Sequence, residues 1–379
     1  MRIPKRVAVI GAGSMGSQAM WRLAARGAEV IGYDRYAPGH DRGASGGESR
    51  IFRAVHLAEP GYLPLLRLAD RMWEELQAET GRSLRRRSGC LVMAETASPA
   101  MRLLLSASAT HGLDHEVLDR EELARRYPQH RLPDGHTAVL DREGAIIRPE
   151  ASVQAAATRA EQLGARLHRY TPVREIAPAA GGGVHIVTDR GTDHVDTAVV
   201  TVGPWINTLL PDLPRTVDVR RVVCSWHLPT RHDWFAGGAP PFVRATPHDC
   251  FGIPSPDGIS VKLGLSFAHH LPVPEPERLD RTVRRPEELG TFRELIGELM
   301  PDLNPDPIRM SAYMEGYTES GNPLVGRLPG EDDVIVMAGF SGSGFKMSPA
   351  MGEIAADLAL DGTTEHPIDF LAPAGVAAA

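Results

Sequence analysis

The sequence predicts an α/β fold of the doubly wound, Rossmann type, interrupted by a mostly antiparallel α+β unit. Three observations carry that expectation. Residues 6–33 read as strand, glycine turn, helix and strand, the opening of a doubly wound sheet. A second strand, glycine-rich turn and helix lie between Val334 and Leu360. From about Arg220 to Met314, short strands broken by proline and glycine replace that pattern.

Arg6 to Ile10 is a short continuous apolar run, the form a strand takes when both its faces are covered. Gly11 to Gly16 forms the turn, Ser14 to Arg26 a helix, and Gly27 its C-terminal cap. Glu29 to Tyr33 is the next strand. Tyr62 to Thr80 is expected to be helical, with Leu63, Leu66, Leu68, Met72, Trp73 and Leu76 as its apolar positions. Gly89 to Ala94 reads as a strand, and Met101 to His111 and Pro149 to Leu163 as helices. Arg166 to Tyr170, Val184 to Thr188 and His194 to Val202 are further strands. One helix is expected near Glu287 to Met300, a strand at Val334 to Ala338 and a helix at Ser348 to Leu360. This layout predicts a discontinuous cofactor domain of residues 1–85, 145–219 and 320–371. A substrate domain of residues 86–144 and 220–319 is inserted into it, and residues 372–379 form a disordered tail.

The bulk numbers exclude several functions. A net charge of −7 offers no basic footprint for nucleic acid or an anionic membrane. The cysteines Cys90, Cys224 and Cys250 are too scattered for a disulfide framework or a structural zinc site, which points to a reducing cytoplasm. No apolar run is long enough to span a bilayer, and Val7 to Ile10 reads as a buried strand rather than part of a signal peptide. The histidines show no metal-binding spacing, so no metal is expected. Of 41 basic residues only Lys5, Lys262 and Lys346 are lysine, which marks each of them out for a specific role.

Gly11, Gly13 and Gly16 are the dinucleotide fingerprint in its required context. The first permits a tight turn, the second lets backbone approach a pyrophosphate, and the third lets helix and strand pack closely. Ser14 and Met15 open the helix whose N-terminus favours the diphosphate charge. Asp34, ending the second strand with Arg35 behind it, is placed to accept from a ribose hydroxyl. This motif alone leaves FAD and NAD open. The loop from Asp41 to Arg50, followed by Ile51, Phe52 and Arg53, combines small residues that can approach a planar ring with two arginines that can bind anions. Solvated arginines on a surface loop fit the same residues. Gly339 to Gly344 is a second glycine-rich turn, and Lys346 at its helix entrance opposes the helix dipole unless an anion compensates. Alternation puts Val261 and Leu263 on one face of a strand and Lys262 on the other, toward either a cavity or water.

Taken in chain order, these motifs resemble the monomeric sarcosine oxidase and N-methyltryptophan oxidase family of flavoprotein amine oxidases, over Val7 to about Leu360. Ser49 to Arg53, Val202-Gly203-Pro204-Trp205, Lys262 to Gly264 and Gly339 to Lys346 are the most specific matches. The resemblance implies a Rossmann-type FAD-binding domain and selects FAD over NAD. It implies that Arg53 and Lys346 bind a substrate carboxylate, that Lys262 promotes the reaction of reduced flavin with oxygen, that Tyr317 lies in the substrate site and that Arg50 lies close to the flavin ring. Ser45, Gly46, Ser49, Val173, Gly203, Trp205, Gly342, Gly344 and Phe345 fall at cofactor positions, as do Arg35 and Lys346. The resemblance further implies that hydride passes from the amine α-carbon to the flavin, that the imine hydrolyses, and that oxygen becomes hydrogen peroxide. Relatives are commonly monomeric.

The departures from the family pattern reshape the expectation. Glu315 stands where relatives carry the cysteine that bonds FAD, so non-covalent FAD is expected. Ser45 and Gly46 replace paired histidines, Ser266 a further histidine, and Phe251 a pocket tyrosine. A larger or differently charged substrate than sarcosine is therefore favoured. Phe242 matches a cavity-lining position, and Arg244 shares its strand face. That predicts a role for Arg244 in recognising a second anionic group on the substrate. The leading reading is an oxidase of an N-substituted or primary amino acid. A flavin-dependent dehydrogenase with another electron acceptor, a non-catalytic flavin-binding protein and a nicotinamide dehydrogenase are the alternatives.

Overall fold

A computed structural model describes residues 4–53, 61–283 and 285–373, so the expected tail lies outside the described residues from residue 374 onward. The first strand, Arg6–Ile10, is the centre of a six-stranded sheet. It pairs in parallel with Glu29–Tyr33 on one side and Thr197–Val200 on the other. Arg166–His168 and Glu331–Ala338 extend the sheet in parallel, and Leu324–Leu328 closes one edge antiparallel. Val7 and Val9 join the core formed with helices Ser14–Ala25, Tyr62–Thr80, Pro149–Gln162 and Ser348–Leu360. Ala8 and Ile10 point to the opposite face, which the strands Val173–Pro178, Val184–Thr188 and Gly191–Val195 cover. Burial on both faces explains the uninterrupted apolar run.

The six expected helices fall within two residues of their expected bounds, and two short ones, Arg120–Arg126 and Ile206–Leu209, are additional. The strand ending at Ala338 instead begins at Glu331, three residues earlier than the apolar pattern suggests. Glu331, Asp332 and Asp333 are polar, but the antiparallel pairing of this strand with Leu324–Leu328 runs from Ala338 back to Glu331. Backbone pairing recruits residues that no side-chain pattern marks.

The nine-stranded second sheet draws its strands from residues 90–141 and 218–317. Pairing within it is antiparallel except where Phe242–Arg244 runs parallel to Cys90–Glu95. One face packs against helix Arg285–Leu299 through Leu91, Met93, Val261 and Leu263. The other face carries Val243, Phe251 and Lys262 toward the first sheet's glycine turns.

Gly16 binds these elements most tightly. A Cβ built there would lie 1.7 Å from the carbonyl oxygen of Gly11 and 2.5 Å from Thr201 Oγ1. Backbone is one of the colliding partners, so no rotamer change relieves the clash. Gly16→Ala is expected to lose about 3 kcal/mol or more, as overpacking against rigid backbone does. Thermal denaturation checks this, and an unchanged Tm would refute it.

Candidate active site

Three cavities run end to end between the two sheets. The outer one holds Gly11, Gly13 and Ser14 of the first turn, Asp34 and Arg35, Ser45, Val173, Gly203 and Trp205. The middle one shares Ser14, Ala44, Thr201 and Gly203 with it and adds Met15, Glu315, Gly342, Gly344 and Phe345. The inner one shares Arg50, Glu315, Gly342 and Phe345 with the middle one and ends at Arg53, Lys262 and Lys346. Shared lining residues make this one extended trough, suited to a dinucleotide lying at full length.

At the outer end Asp34 is buried, and its two carboxylate oxygens accept from the backbone N–H groups of Ala12 and Tyr36, each at 2.6 Å. The acid thus clamps the glycine turn and keeps a lone pair on each oxygen for a further donor. Arg35 lies 5.5 Å over the Trp205 ring and pairs with Glu277 at 2.8 Å. Gly13 lies open, since a Cβ there would approach only Ser45 Oγ, at 3.7 Å.

The two arginines of the small-residue loop have separate fates. Arg50 donates to the carbonyls of Ser49, Ala44 and Gly46 at 2.7–2.8 Å, so its guanidinium is the post around which the loop folds. It lies 5.9 Å from the Phe345 ring. Arg53 is left over. Its buried Nη1 has no hydrogen-bond partner, and among the described residues it makes no ion pair.

Lys262 is 1 % exposed and donates to the carbonyls of Ser49 at 2.5 Å and Gly47 at 2.9 Å. Burial, with the nearby Arg50 charge second, pushes its ammonium down to about 7. Lys346 sits in the single turn before helix Ser348–Leu360 and is 5 % exposed. Burial, then the Arg53 charge, holds it well below the usual lysine range. Among the described residues no acid or carbonyl takes its ammonium. Two cations without partners therefore share the inner end of the trough, an arrangement that costs free energy until an anion arrives.

Tyr313, Glu315 and Tyr317 alternate along strand Arg309–Tyr317 and all line the inner cavity. Tyr317 Oη donates to Glu315 Oε2 at 2.8 Å and lies 3.0 Å from His270 Nδ1. Phe251 and Ser266 line the same cavity. Asp249 and His270 join them, and neither carried a sequence signal. Asp249 precedes its strand in an unpatterned loop, and the adjacent His269-His270 pair points only to an absent metal spacing. Burial raises the Asp249 carboxyl, with Ser266 and Arg53 opposing.

Two expected substrate residues are elsewhere. Phe242 and Arg244 do share a strand face, but it is the opposite one. Phe242 stacks edge-on to His130 at 4.7 Å, and Arg244 donates to the Arg131 carbonyl at 3.0 Å, both beneath the sheet. Val243 between them faces the cavity instead. The idea that Arg244 reads a second anionic group on the substrate is therefore corrected by strand parity. Of the expected cofactor positions, Gly16 and Ser49 line none of the three cavities. They act through packing and through the carbonyl given to Lys262.

Among the described residues no group of histidine, cysteine or acidic side chains could hold a metal, and no helix is long and apolar enough to cross a membrane. The profile of a family described as FAD dependent oxidoreductase matches residues 6–358. The chain is 35% identical to the monomeric sarcosine oxidase of Streptomyces avermitilis over 385 residues, covering 98% of each protein. It is 29% identical to the N-methyl-L-tryptophan oxidase of Yersinia pestis, covering 96% of each. Among solved structures, the open form of NikD, an unusual amino acid oxidase essential for nikkomycin biosynthesis, superposes with a TM-score of 0.84 at 23% identity, covering 99% of both chains. The L-proline dehydrogenase of P. horikoshii gives a TM-score of 0.86 at 20% identity, covering 99% of this chain and 98% of that one. These two structural likenesses speak to the fold alone.

Proposed function

We propose, from the premise that the chain belongs to the FAD dependent oxidoreductase family, that it oxidises the C–N bond of an amino acid with FAD and oxygen. The observation that carries this reading is the pair Arg53 and Lys346, neither of them ion-paired among the described residues, facing the same cavity as buried Lys262. A carboxylate satisfies both cations at once, which holds an α-amino acid with its nitrogen and α-carbon inside the cavity. The residues of the trough fit FAD. Gly11, Gly13 and Ser14 would hold the diphosphate, Asp34 the ribose, Val173 and Trp205 the adenine end, and Gly342, Gly344, Phe345, Arg50, Ser45 and Gly46 the ring end. FAD, when bound, supplies the two-electron acceptor and passes those electrons on to oxygen. The Lys262 ammonium, in its charged form, then sets a positive charge in a cavity with little water, where charge developing on reduced oxygen is stabilised most.

The same reading assigns residues 1–85, 145–219 and 320–371 to the cofactor and residues 86–144 and 220–319 to the substrate. The two sheets, drawn from 6–338 and 90–317, support that division. The protein acts as a monomer in the cytoplasm, on an N-substituted or primary amino acid bulkier than sarcosine. The small Ser266 at a cavity position supports the larger substrate.

The test is an anaerobic screen of sarcosine, N-methyl-L-tryptophan, L-proline, glycine and bulkier N-alkyl amino acids. At least one should bleach the flavin absorption, and readmitting air should restore it with one peroxide per turnover. If no amino acid bleaches it, the reading fails.

FAD is held without a covalent bond. All three cysteines are buried, and Glu315 occupies the trough. Burial, helped by Asp141 beside Cys90 and Asp249 beside Cys250, pushes both thiols up to about 12, far from the thiolate that a flavin bond needs. Acid precipitation should leave the yellow colour in the supernatant, and a yellow pellet would contradict this.

A further inference from the structure

Beyond cofactor and carboxylate, an amine oxidase must handle a proton, because an amino acid arrives as an ammonium ion and only the neutral amine has a lone pair to drive oxidation. Glu315, Tyr317 and His270 form a chain of hydrogen bonds on the cavity wall, with spacings of 2.8 Å and 3.0 Å. His270 Nε2 lies 3.0 Å from the carbonyl oxygen of Leu265. A carbonyl only accepts, so Nε2 carries the hydrogen, and in the neutral ring Nδ1 is an acceptor. The single Tyr317 hydrogen then faces two acceptors, the Glu315 carboxylate and His270 Nδ1. It can serve only one of them. One added proton resolves the conflict: Nδ1–H donates to Tyr317 Oη, and the Tyr317 hydroxyl donates to Glu315.

We propose that Glu315, Tyr317 and His270 are a relay that takes the ammonium proton of the bound amino acid and holds it on His270. The proposal rests on the amine-oxidation reading above. In this step an N–H bond of the substrate breaks and an O–H bond forms on Tyr317. The former Tyr317 O–H bond breaks and an N–H bond forms at His270 Nδ1. The amine keeps its electron pair, and the positive charge moves from ammonium to imidazolium. Tyr317 lines the cavity, while His270 acts through it as a positioning residue that also holds the proton.

The surroundings suit a transient proton. Burial lowers the His270 imidazole, so the ring rests neutral and ready to accept, while Glu315 opposes that shift and favours the imidazolium once formed. Among the described residues, the other ionisable groups that act on the ring are Arg220 on strand Asp218–His227, which donates to the His270 carbonyl at 3.2 Å, neighbouring His269, and Asp249. His270 and Leu265 also line a separate outer cavity of about 660 Å³, whose acids include Glu275 and Glu287. The imidazole thus stands between the substrate cavity and a second, water-accessible space into which the proton can leave.

Two measurements test the relay, and the first needs no substrate. With ¹⁵N-histidine in the flavin-loaded protein, the His270 signals, assigned by their loss in His270→Gln, should show the neutral Nε2–H form at pH 7.5. Its protonation midpoint should fall by about one pH unit in Glu315→Gln, since a nearby carboxylate favours the charged ring. A midpoint unmoved by Glu315→Gln, or an Nδ1–H resting form, overturns the relay whether or not any amine is oxidised. The second measurement is anaerobic flavin reduction by whichever amino acid of the screen reacts fastest. In the wild type the bimolecular reduction constant should be flat between about pH 7 and 9, because the protonated substrate is used. In His270→Gln it should rise about tenfold per pH unit, because only pre-deprotonated substrate reacts. Parallel profiles overturn the proposal, whereas an absence of bleaching by every amine refutes the function and leaves the first measurement to decide the relay.

Discussion

Replacing Lys262 with methionine should slow the reaction of the reduced flavoprotein with oxygen by about 10²–10³-fold, the range that loss of one electrostatic stabiliser produces. The side chain is buried, its ammonium is fixed by two backbone carbonyls, and methionine fills a similar volume without charge. The effect should also depend on pH. The ammonium titrates near 7 because burial penalises its charge. The charged form is present below that value and lost above it, so the wild-type reoxidation rate should fall as pH rises from 6 to 8.5. Lys262→Met should be flat over the same range. Stopped-flow reoxidation of photoreduced protein measures both effects without any amine. A methionine variant that reoxidises at the wild-type rate would remove Lys262 from the oxygen reaction.

Lys346→Met should weaken carboxylate binding and yet stabilise the protein. Truncating one member of a buried charge pair costs about 2–4 kcal/mol, or roughly 30- to 1000-fold in affinity. In the ligand-free protein, however, the ammonium has no partner among the described residues, and Arg53 beside it adds like-charge repulsion. Removing such a group should raise stability by about 1–4 kcal/mol. The depressed lysine has a pH signature. The unfolded chain binds its proton up to the ordinary lysine range and the folded chain releases it earlier. Wild-type stability should therefore climb as pH rises through that interval, more steeply than in Lys346→Met. A bound carboxylate reverses the penalty by favouring the ammonium, so wild-type affinity for acetate should fall as pH rises. Calorimetry and acetate titration of the flavin spectrum check both parts. A lower Tm with unchanged acetate affinity would contradict the whole account.

Much of this was legible in the sequence because it depends on local rules. The turn Gly11 to Gly16 follows a buried strand and opens a helix, so its role follows from backbone geometry alone. The scarcity of lysine marked out Lys5, Lys262 and Lys346 alike. Lys262 and Lys346 line the cavity, whereas Lys5 is exposed and donates to the Ala359 carbonyl. The alternation of Val261, Lys262 and Leu263 holds in the sheet. Phe242 and Arg244 were misjudged for a reason equally local. Strand periodicity states which residues share a face but not which face meets the cavity, and a shift of one residue exchanges the two.

By itself, the sequence determined the dinucleotide turn, the order of the elements and the scarcity of lysine. Those features are set by contacts a few residues apart or by composition. Only the tertiary structure decided that Arg50 is consumed by its own loop while Arg53, among the described residues, keeps a buried Nη1 without a partner. It alone joined Glu315 and Tyr317 to His270, which lies 47 residues away from Tyr317 in the chain. Such pairings arise when strands distant in sequence become neighbours in a sheet, and no local pattern records which partners that closure will bring within hydrogen-bond reach.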